Sequence, residues 1–289
     1  MKENKKTINI VGADGWYSKE SLTRGPGSER FDVVYNKPDN NELTYFINDA
    51  MEEFDKTESD VKVALITDCR CIVPWFYDWI DKNHHNFDYV VTYDDISINS
   101  LGPKAWITPA GGTFIWPKEN WQIFEKTKLC SYVCSTKNWT PLQKNRVNLL
   151  NHFYSRRIVS GRPKFVPDLF GTGHNPLPDV VGKIEAMRDY AFSITIENHV
   201  SDHYFSEKII DCFLTGVVPI YMGAKKISEY FDPDGIIFFK GREDLLNIVD
   251  NLTMSDYKKR MNAIKNNFQI AKNNFIDSIE FSFRRYYDK

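Results

Sequence analysis

Short apolar runs alternate with polar or amphipathic stretches through the first half of the chain. The runs are rich in β-branched and aromatic residues, as buried strands of a mostly parallel sheet are. They lie at Thr7–Val11, Phe31–Tyr35, Val61–Thr67 and Phe87–Tyr93. Helices are predicted between them at Thr44–Phe54 and Val73–Lys82. This repeated spacing of strand and helix predicts a doubly wound α/β unit.

The same alternation resumes near Lys126. Strands are predicted at Leu129–Cys134, Lys164–Phe170, Phe192–Glu197, Val217–Met222 and Gly235–Phe239. Helices are predicted at Gln143–Phe153, Ile184–Tyr190, from Ser206, at Ile227–Phe231 and from Arg242 to the end. The fold class is therefore predicted as α/β with two Rossmann-like doubly wound domains, over residues 1–125 and 126–289, the second with the C-terminal helices.

Composition narrows the function classes. Of the 289 residues, 42% are hydrophobic and 26% charged, as in globular proteins. The net charge of −2 disfavours a dedicated nucleic-acid binder, because such proteins usually carry a strong basic excess. No nucleic acid is therefore expected as a partner. The high aromatic content, 15%, is consistent with a large aromatic core or with a sugar-binding cleft, and both interpretations stay open.

Neither a membrane span nor a secretion signal is visible in the sequence. No apolar run approaches the ~20 residues that a span needs, and the N-terminus lacks the apolar core of a signal peptide. We therefore expect a cytoplasmic protein. The basic and aromatic end, Phe281–Tyr287, allows at most peripheral membrane contact. The five cysteines lack zinc spacing and predict buried thiols rather than a disulfide framework.

The segment Phe192–Gly223 carries the clearest chemical signal. It reads as a strand, a polar loop, an amphipathic helix and a second strand, with Glu207 and Lys208 in the first turn of the helix. A lysine is unfavourable at the positive end of a helix unless an anion binds there. Backbone N–H groups, the helix dipole and the lysine would then all face the same negative charge. The segment predicts half of a nucleotide-diphosphate site.

The same segment resembles the signature of glycosyltransferase family 10, the α-1,3/1,4-fucosyltransferases. The matching residues are Glu197-Asn198, Tyr204-Phe-Ser-Glu207-Lys208 and Gly216-Val-Val-Pro219-Ile-Tyr-Met-Gly223. Looser similarity runs from about Phe87 to Phe239. Two positions depart from the family pattern. Ser206 stands where Thr is usual, and either hydroxyl can cap a helix. His199 stands where Ser or Thr is usual, which puts contacts at that position in doubt.

The resemblance implies a GT-B-like fold, in which two Rossmann-like domains face a cleft that receives the acceptor. It further implies an inverting enzyme that uses GDP-fucose as donor substrate. Because eukaryotic members of the family carry a membrane anchor and no such span is visible here, the resemblance implies an enzyme of bacterial or viral type. Lys208 would then neutralise the diphosphate, and Glu207 would bind ribose hydroxyls. Ser206 would cap the helix that carries both residues, and it belongs to the same donor-binding group. Asn198 and Tyr204 would bind the donor sugar or phosphate. The structural alternatives are a solvated helix-end lysine, a carboxylate at the helix dipole and plain loop packing.

Other positions are more open. Arg146 resembles a donor-binding arginine of the family, and a guanidinium can grip two phosphate oxygens; Lys144 is a neighbour that competes for this role. Glu197, at a strand end, either acts on the donor as a catalytic residue or holds the loop. Gly171 and Gly173 either let the backbone approach the nucleotide or form a plain turn.

Inversion also needs a carboxylate that takes the acceptor hydroxyl proton. The resemblance places it on a loop after a strand of the first domain, which here is Thr67-Asp68-Cys69-Arg70. The family's glutamate is absent in that form, so we predict Asp68 as the general base. Asp14, Asp94 and Asp95 are rivals, since an aspartate at a strand end is often only a turn or cap residue.

No acidic pair of the DxD type follows a strand near the donor motif, because Asp94-Asp95 belongs to the first domain. We therefore predict that no metal or cofactor is required, and that cations and the helix terminus stabilise the leaving group. The predicted partners are a nucleotide sugar and a glycan acceptor. A transferase for another GDP- or UDP-sugar, and an inactive nucleotide- or glycan-binding homologue, remain alternatives. The acceptor, the linkage and the oligomeric state are not predicted.

Overall fold

A computed structural model describes residues 6–12, 31–108, 112–159, 165–171, 181–275 and 282. The chain forms two compact units, unit 1 from Met1–Ala110 with Asp277–Lys289 and unit 2 from Gly111–Ile276. Unit 2 thus starts ahead of the domain limit predicted at residue 126. The reason is that Thr113 and Phe114 bind the buried Asp211 carboxylate of unit 2 through a hydroxyl and a backbone N–H. The domain limits themselves stay a prediction.

Unit 1 contains a six-stranded sheet in which every pairing is parallel. Its strands are β1 (Lys6–Val11), β2 (Phe31–Tyr35), β3 (Asn41–Ile47), β4 (Ser59–Leu65), β5 (Tyr89–Thr92) and β6 (Ala105–Ile107), in the order β2-β1-β3-β4-β5-β6. Its helices are α1 (Pro74–Asn83) and α2 (Asp95–Leu101), with 3-10 turns at Asn48–Glu53, His84–Asn86 and Gly102–Lys104.

The helix predicted at Thr44–Phe54 is wrong. Its first part belongs to β3, and only Asn48–Glu53 forms a 3-10 turn. The strand pairs with β1 on one side and β4 on the other, and Leu43–Ile47 are fully buried. Pairing on both sides outweighs the helical periodicity of the segment, because local propensity is a weak signal beside tertiary burial. Asn48, at a φ of 53°, ends the strand.

Unit 2 contains a five-stranded parallel sheet. Its strands are β7 (Lys128–Val133), β8 (Asp168–Phe170), β9 (Tyr190–Ile196), β10 (Val218–Met222) and β11 (Ile237–Phe238), in the order β11-β10-β9-β7-β8. Its helices are α3 (Pro141–Val159), α4 (Glu207–Leu214), α5 (Arg242–Asn251), α6 (Met254–Lys259) and α7 (Met261–Asn274). Further 3-10 turns lie at Lys118–Asn120, Val181–Ala186, Ile227–Glu229 and Pro233–Gly235.

Strand β9 forms the centre of unit 2. All seven of its residues are buried, as is usual for a strand covered on both faces. The strand starts at Tyr190, two residues before the predicted strand Phe192–Glu197. The helix predicted at Ile184–Tyr190 is wrong, because the turn of 3-10 helix covers Val181–Ala186 and Tyr190 pairs in the sheet. Phe192, Ile194 and Ile196 belong to the core cluster that α3 and the C-terminal helices also enter. The α/β class and the doubly wound parallel arrangement are confirmed in both units. Among the described residues, no helix combines the length and the apolar character that crossing a bilayer requires.

Candidate active site

The strand order of unit 2 indicates where along the sheet a ligand fits best. β7 and β9 are neighbours, but the chain proceeds from β7 outward to β8 and from β9 outward to β10. Such a reversal leaves a crevice at the carboxyl ends of the two strands, which is the usual binding site in open α/β sheets. Here these ends are Val133 and Ile196, and α3 and α4 begin after the loops that follow them. The predicted donor residues lie on these loops and helices.

Helix α4 starts with the predicted cap. The Ser206 hydroxyl accepts a hydrogen bond from the Lys208 backbone N–H at 3.5 Å, a long capping contact. Glu207 and Lys208 form the first turn, while Ile209–Leu214 are all buried. The apolar face of the helix therefore fixes its position on the sheet, and its first turn remains partly accessible.

Glu197, directly after β9, is completely buried. Its two carboxylate oxygens accept hydrogen bonds from the Ser206 backbone N–H at 3.0 Å and from the Ser206 hydroxyl at 2.6 Å. The Lys208 ammonium lies 3.4 Å from the same carboxylate. Both oxygens are thus engaged by the start of α4, so this geometry suits a residue that holds the loop.

The Lys208 ammonium sits among three oxygens. It donates to the Ser206 hydroxyl at 2.8 Å and to Glu207 at 3.3 Å, in addition to the Glu197 ion pair. Its side chain is 21% exposed, so an incoming anion can reach it. Burial alone would raise the pKa of Glu207, but the neighbouring Lys208 and Lys183 ammonium groups outweigh burial and lower that pKa to about 2. Glu207 is therefore ionised at neutral pH.

A second ion pair lies in the core beside this turn. The Lys183 ammonium is 2.6 Å from the Asp211 carboxylate, which is fully buried on α4. Burial alone would lower the pKa of Lys183, but the carboxylates of Asp211 and Glu207 raise it above its ordinary value. The pair holds α4 against the segments around Lys183 and Thr113, because Asp211 also accepts from the Thr113 hydroxyl at 2.6 Å.

Arg146, on α3, points its guanidinium at the end of β9. Its Nη1 donates to the Ile196 carbonyl at 3.1 Å, and the side chain is 7% exposed. The buried Nε–H has no hydrogen-bond partner among the described residues. A buried donor without a partner costs roughly 1–3 kcal/mol, so an anion that accepts from it would be bound more tightly. Lys144, the rival position, is exposed.

Asn198 connects the two loops. Its amide donates to the Tyr204 hydroxyl at 3.3 Å, and its side-chain oxygen accepts from the Gln143 amide at 3.4 Å. Its backbone carbonyl accepts from the Thr140 hydroxyl at 2.9 Å. Thr140 and Gln143 also cap α3, since the hydroxyl accepts from the Gln143 N–H and Gln143 accepts from the Thr140 N–H. The start of α3 is thereby attached to the loop that carries Asn198.

Six predicted residues are thus brought together at the carboxyl end of β9, either by contact with one another or by contact with the strand end itself. These residues are Arg146, Glu197, Asn198, Tyr204, Ser206 and Lys208, and Glu207 joins them through Lys208. Gly171 has a φ of 109°, and a Cβ there would collide with the Cys134 carbonyl. The Gly171 backbone therefore packs closely against the loop that follows β7. Gly173 lies outside the described residues.

The predicted base lies in unit 1, on the loop after β4. The backbone carbonyl of Asp68 accepts from the buried Tyr77 hydroxyl at 2.8 Å, which fixes the loop, and the residue is half-buried. Its rival Asp94 caps α2 by accepting from the Ser97 N–H at 2.9 Å. Arg70 also donates to both Asp94 oxygens, the closest contact being 2.9 Å. Those contacts make Asp94 a structural residue, whereas Asp14 lies outside the described part of the chain.

Sequence reasoning missed two groups that shape the site. The Thr140–Gln143 cap has a local signal, because Thr-Pro-x-Gln is a capping-box pattern with proline at the first helical position. The Lys183–Asp211 pair has none, since its partners are 28 residues apart in sequence and meet only in the folded unit.

Comparison with known proteins places this chain in a family. The model of glycosyltransferase family 10 (fucosyltransferase), C-terminal part, matches residues 123–272. A fucosyltransferase-like protein of Arabidopsis thaliana is 32% identical over 79 residues, and the α-(1,3)-fucosyltransferase FucT of Helicobacter pylori is 31% identical over 88 residues. These matches span 27% and 30% of this chain but only 15% and 17% of the two relatives.

Solved structures show the same fold across both units. An α1,3-fucosyltransferase aligns with a TM-score of 0.55 at 14% identity, covering 96% of this chain and 93% of that one. The Anabaena protein Alr3699/HepE, solved in complex with UDP, aligns with a TM-score of 0.57 at 11% identity, covering 97% of this chain and 98% of that one. At such identities the likeness concerns the fold, which is GT-B-like as predicted. Since the family model matches more than half of this chain, the chain belongs to glycosyltransferase family 10, the fucosyltransferase family.

Proposed function

We propose that this protein transfers L-fucose from GDP-fucose to a hydroxyl group of a glycan, with inversion at the anomeric carbon. One observation carries the proposal. Two cationic side chains lie at the carboxyl end of β9: Lys208 pairs with Glu197, and Arg146 donates to the Ile196 carbonyl. The Arg146 Nε–H has no hydrogen-bond partner within the described part of the chain. Membership of a fucosyltransferase family supports this choice of donor.

The donor would bind through its diphosphate. Lys208 and the N–H groups of α4 neutralise one phosphate, and Arg146 donates from Nε to another phosphate oxygen. Ionised Glu207 accepts hydrogen bonds from ribose hydroxyls, while Asn198 and Tyr204 orient the sugar end. Because these groups already have fixed positions, little reorganisation is needed when the leaving group becomes charged.

The transfer itself needs a base and a leaving group. The acceptor oxygen attacks the anomeric carbon, the bond from that carbon to the phosphate oxygen breaks, and GDP leaves with the electron pair. Asp68 takes the acceptor proton. Lys208 and Arg146 stabilise the charge on GDP, so the proposal requires no metal and no cofactor. Glu197 acts as a positioning residue, since both of its oxygens hold Ser206.

Donor binding is the first test. The rise in Tm with GDP-fucose, GDP-mannose, UDP-glucose and UDP-galactose ranks the donors in a single measurement, because a ligand that binds only the folded state stabilises it. We expect GDP-fucose to give the largest shift. A larger shift with a UDP-sugar would replace the proposed donor by a UDP-sugar, as the fold shared with HepE allows.

Turnover is the second test. GDP release is measured with and without a panel of glycan acceptors, and the product linkage is read by NMR. We expect acceptor-dependent GDP release and an α-linked fucose. If GDP-fucose binds but no acceptor or water ever releases GDP, the protein is an inactive binding homologue and the proposal fails.

A further inference from the structure

The loop that carries Asp68 also carries two cysteines whose sulfur atoms lie unusually close together. The Sγ atoms of Cys69 and Cys71 are 3.0 Å apart, and both residues are thiols. A disulfide requires about 2.05 Å, so closure moves the sulfurs by only about 1 Å. Cys69 is buried, while Cys71 is exposed, which differs from the buried thiols that the sequence predicts. The other cysteines, at positions 130, 134 and 212, are buried.

The backbone around this pair is already folded into a tight turn. The Cys69 carbonyl accepts from the Ile72 N–H at 2.8 Å and from the Val73 N–H at 3.1 Å, so the turn precedes α1 directly. Arg70, between the two cysteines, is held by Asp94 through a bidentate contact and lies over the Tyr77 ring at 4.4 Å. The two thiols therefore stay close without any need for a large loop motion, which gives them a high effective concentration.

We propose that Cys69 and Cys71 form a reversible thiol–disulfide site that reacts with low-molecular-weight disulfides. The Cys71 thiolate attacks one sulfur of an oxidised dithiol or of oxidised glutathione. The S–S bond of the reagent breaks, and its other sulfur leaves as a thiolate that takes up a proton. The Cys69 thiol then attacks the Cys71 sulfur and expels the second reagent sulfur, which takes up the proton that Cys69 loses. Two protein thiols are oxidised, and one reagent disulfide is reduced to two thiols.

The order of attack follows from exposure. Cys71 is accessible, and thiol reactivity depends on access and on thiolate character. The hydrogen bond with Cys71 and burial both raise the pKa of Cys69, so the buried sulfur is a poor first nucleophile. Its role is to resolve the mixed disulfide, for which proximity to Cys71 is enough. The loop position also makes the consequence specific, because the disulfide would form in the residues that follow the predicted base Asp68 directly.

Intact-mass spectrometry of the full chain, incubated with oxidised glutathione, tests the proposal. We expect wild type to lose two hydrogens, with peptide mapping placing the link between Cys69 and Cys71, and dithiothreitol to reverse the change. Cys69→Ser should accumulate the mixed disulfide with one glutathione on Cys71. Cys71→Ser should react at least about tenfold more slowly than wild type, because only buried sulfurs remain. A wild type that keeps a stable mixed disulfide, links another cysteine or does not react would overturn the proposal.

An activity readout separates this proposal from the proposed function. If the protein transfers fucose, oxidation should lower turnover in wild type, and dithiothreitol should restore it, while Cys71→Ser stays insensitive. The mass measurement does not depend on any enzyme activity, so it tests the disulfide site independently of the proposed function. If oxidised wild type contains the Cys69–Cys71 disulfide but turns over at an unchanged rate, the proposed disulfide site is supported and an effect of the disulfide on the Asp68 loop is excluded.

Discussion

Glu197 and Ser206 are joined by two hydrogen bonds across the loop between β9 and α4. One carboxylate oxygen accepts from the Ser206 N–H at 3.0 Å, and the other accepts from its hydroxyl at 2.6 Å. Glu197 is completely buried, and Ser206 caps the helix that presents Lys208. The end of the central strand therefore sets the position of the helix terminus, and with it the cation that the proposed donor meets.

The first prediction concerns this carboxylate. In Glu197→Gln only one oxygen remains as an acceptor, so one Ser206 donor would face an amide NH₂, and Lys208 would lose its buried counter-charge. We expect the free energy of unfolding to fall by about 2–4 kcal/mol, measured by urea unfolding. Ser206→Ala is the matched comparison and should cost only about 1 kcal/mol. Equal losses in the two variants would contradict the positioning role.

The second prediction concerns the diphosphate cations. Removing the charge in Lys208→Met or Arg146→Gln should lower kcat/KM with GDP-fucose by about 100-fold or more, because the charge on the leaving group is then stabilised less. Lys144→Gln, on the exposed face of α3, is the control and should change kcat/KM by less than about twofold, as an exposed charge is screened by solvent. An effect of Lys144→Gln that matches Arg146→Gln would move the phosphate contact to Lys144.

The third prediction concerns the general base. Asp68→Asn should lower kcat by about 100-fold to 10,000-fold while GDP affinity is retained, since only proton transfer is lost. Asp94→Asn should instead lower stability, because Asp94 binds Arg70 and caps α2. Initial rates, GDP titration and urea unfolding of both variants distinguish the two roles. Full activity of Asp68→Asn would transfer the role to another carboxylate.

The fourth prediction follows from the pKa of Glu207. That pKa is lowered from 4.5 to about 2, so the native state favours the ionised form. The resulting stability is fully present above pH 4.5 and is lost as the pH falls towards 2. Unfolding free energies of wild type and Glu207→Gln should therefore differ by about 1–3 kcal/mol at pH 6, and the difference should shrink as the pH falls from 4.5 towards 2. Glu243→Gln, which removes a carboxylate from the first turn of α5, is the matched comparison variant.

The fifth prediction concerns metal. If Lys208, Arg146 and the start of α4 supply the positive charge, turnover should be unchanged after treatment with EDTA, and added Mg²⁺ or Mn²⁺ should alter it by less than about twofold. Rates measured before and after dialysis against EDTA provide the check. Loss of activity that returns only with a divalent cation would contradict the metal-independent proposal.

Much of the fold and of the donor site was predictable because the signals are local. Local signals reveal the apolar run of β9, the Ser-Glu-Lys start of α4, the Gly positions before and after β10 and the Pro within it. Each depends only on nearby residues, so periodicity and capping are enough to predict it. By contrast, local periodicity predicts a helix over Thr44–Phe54, and this is wrong because the pairing that makes Thr44–Ile47 part of a strand comes from β1 and β4.

The sequence by itself determined the two α/β units, the family motif and the residue types of the proposed donor site. The tertiary structure decided which of those residues form hydrogen bonds and ion pairs, and with which partners. The Arg146 contact with the Ile196 carbonyl joins residues 50 apart in sequence, and the Lys183–Asp211 pair joins residues 28 apart. The double contact of Glu197 with Ser206 closes the loop between β9 and α4. Such contacts depend on strand order and burial, and no local pattern encodes the distance between two side chains that meet only after the chain has folded.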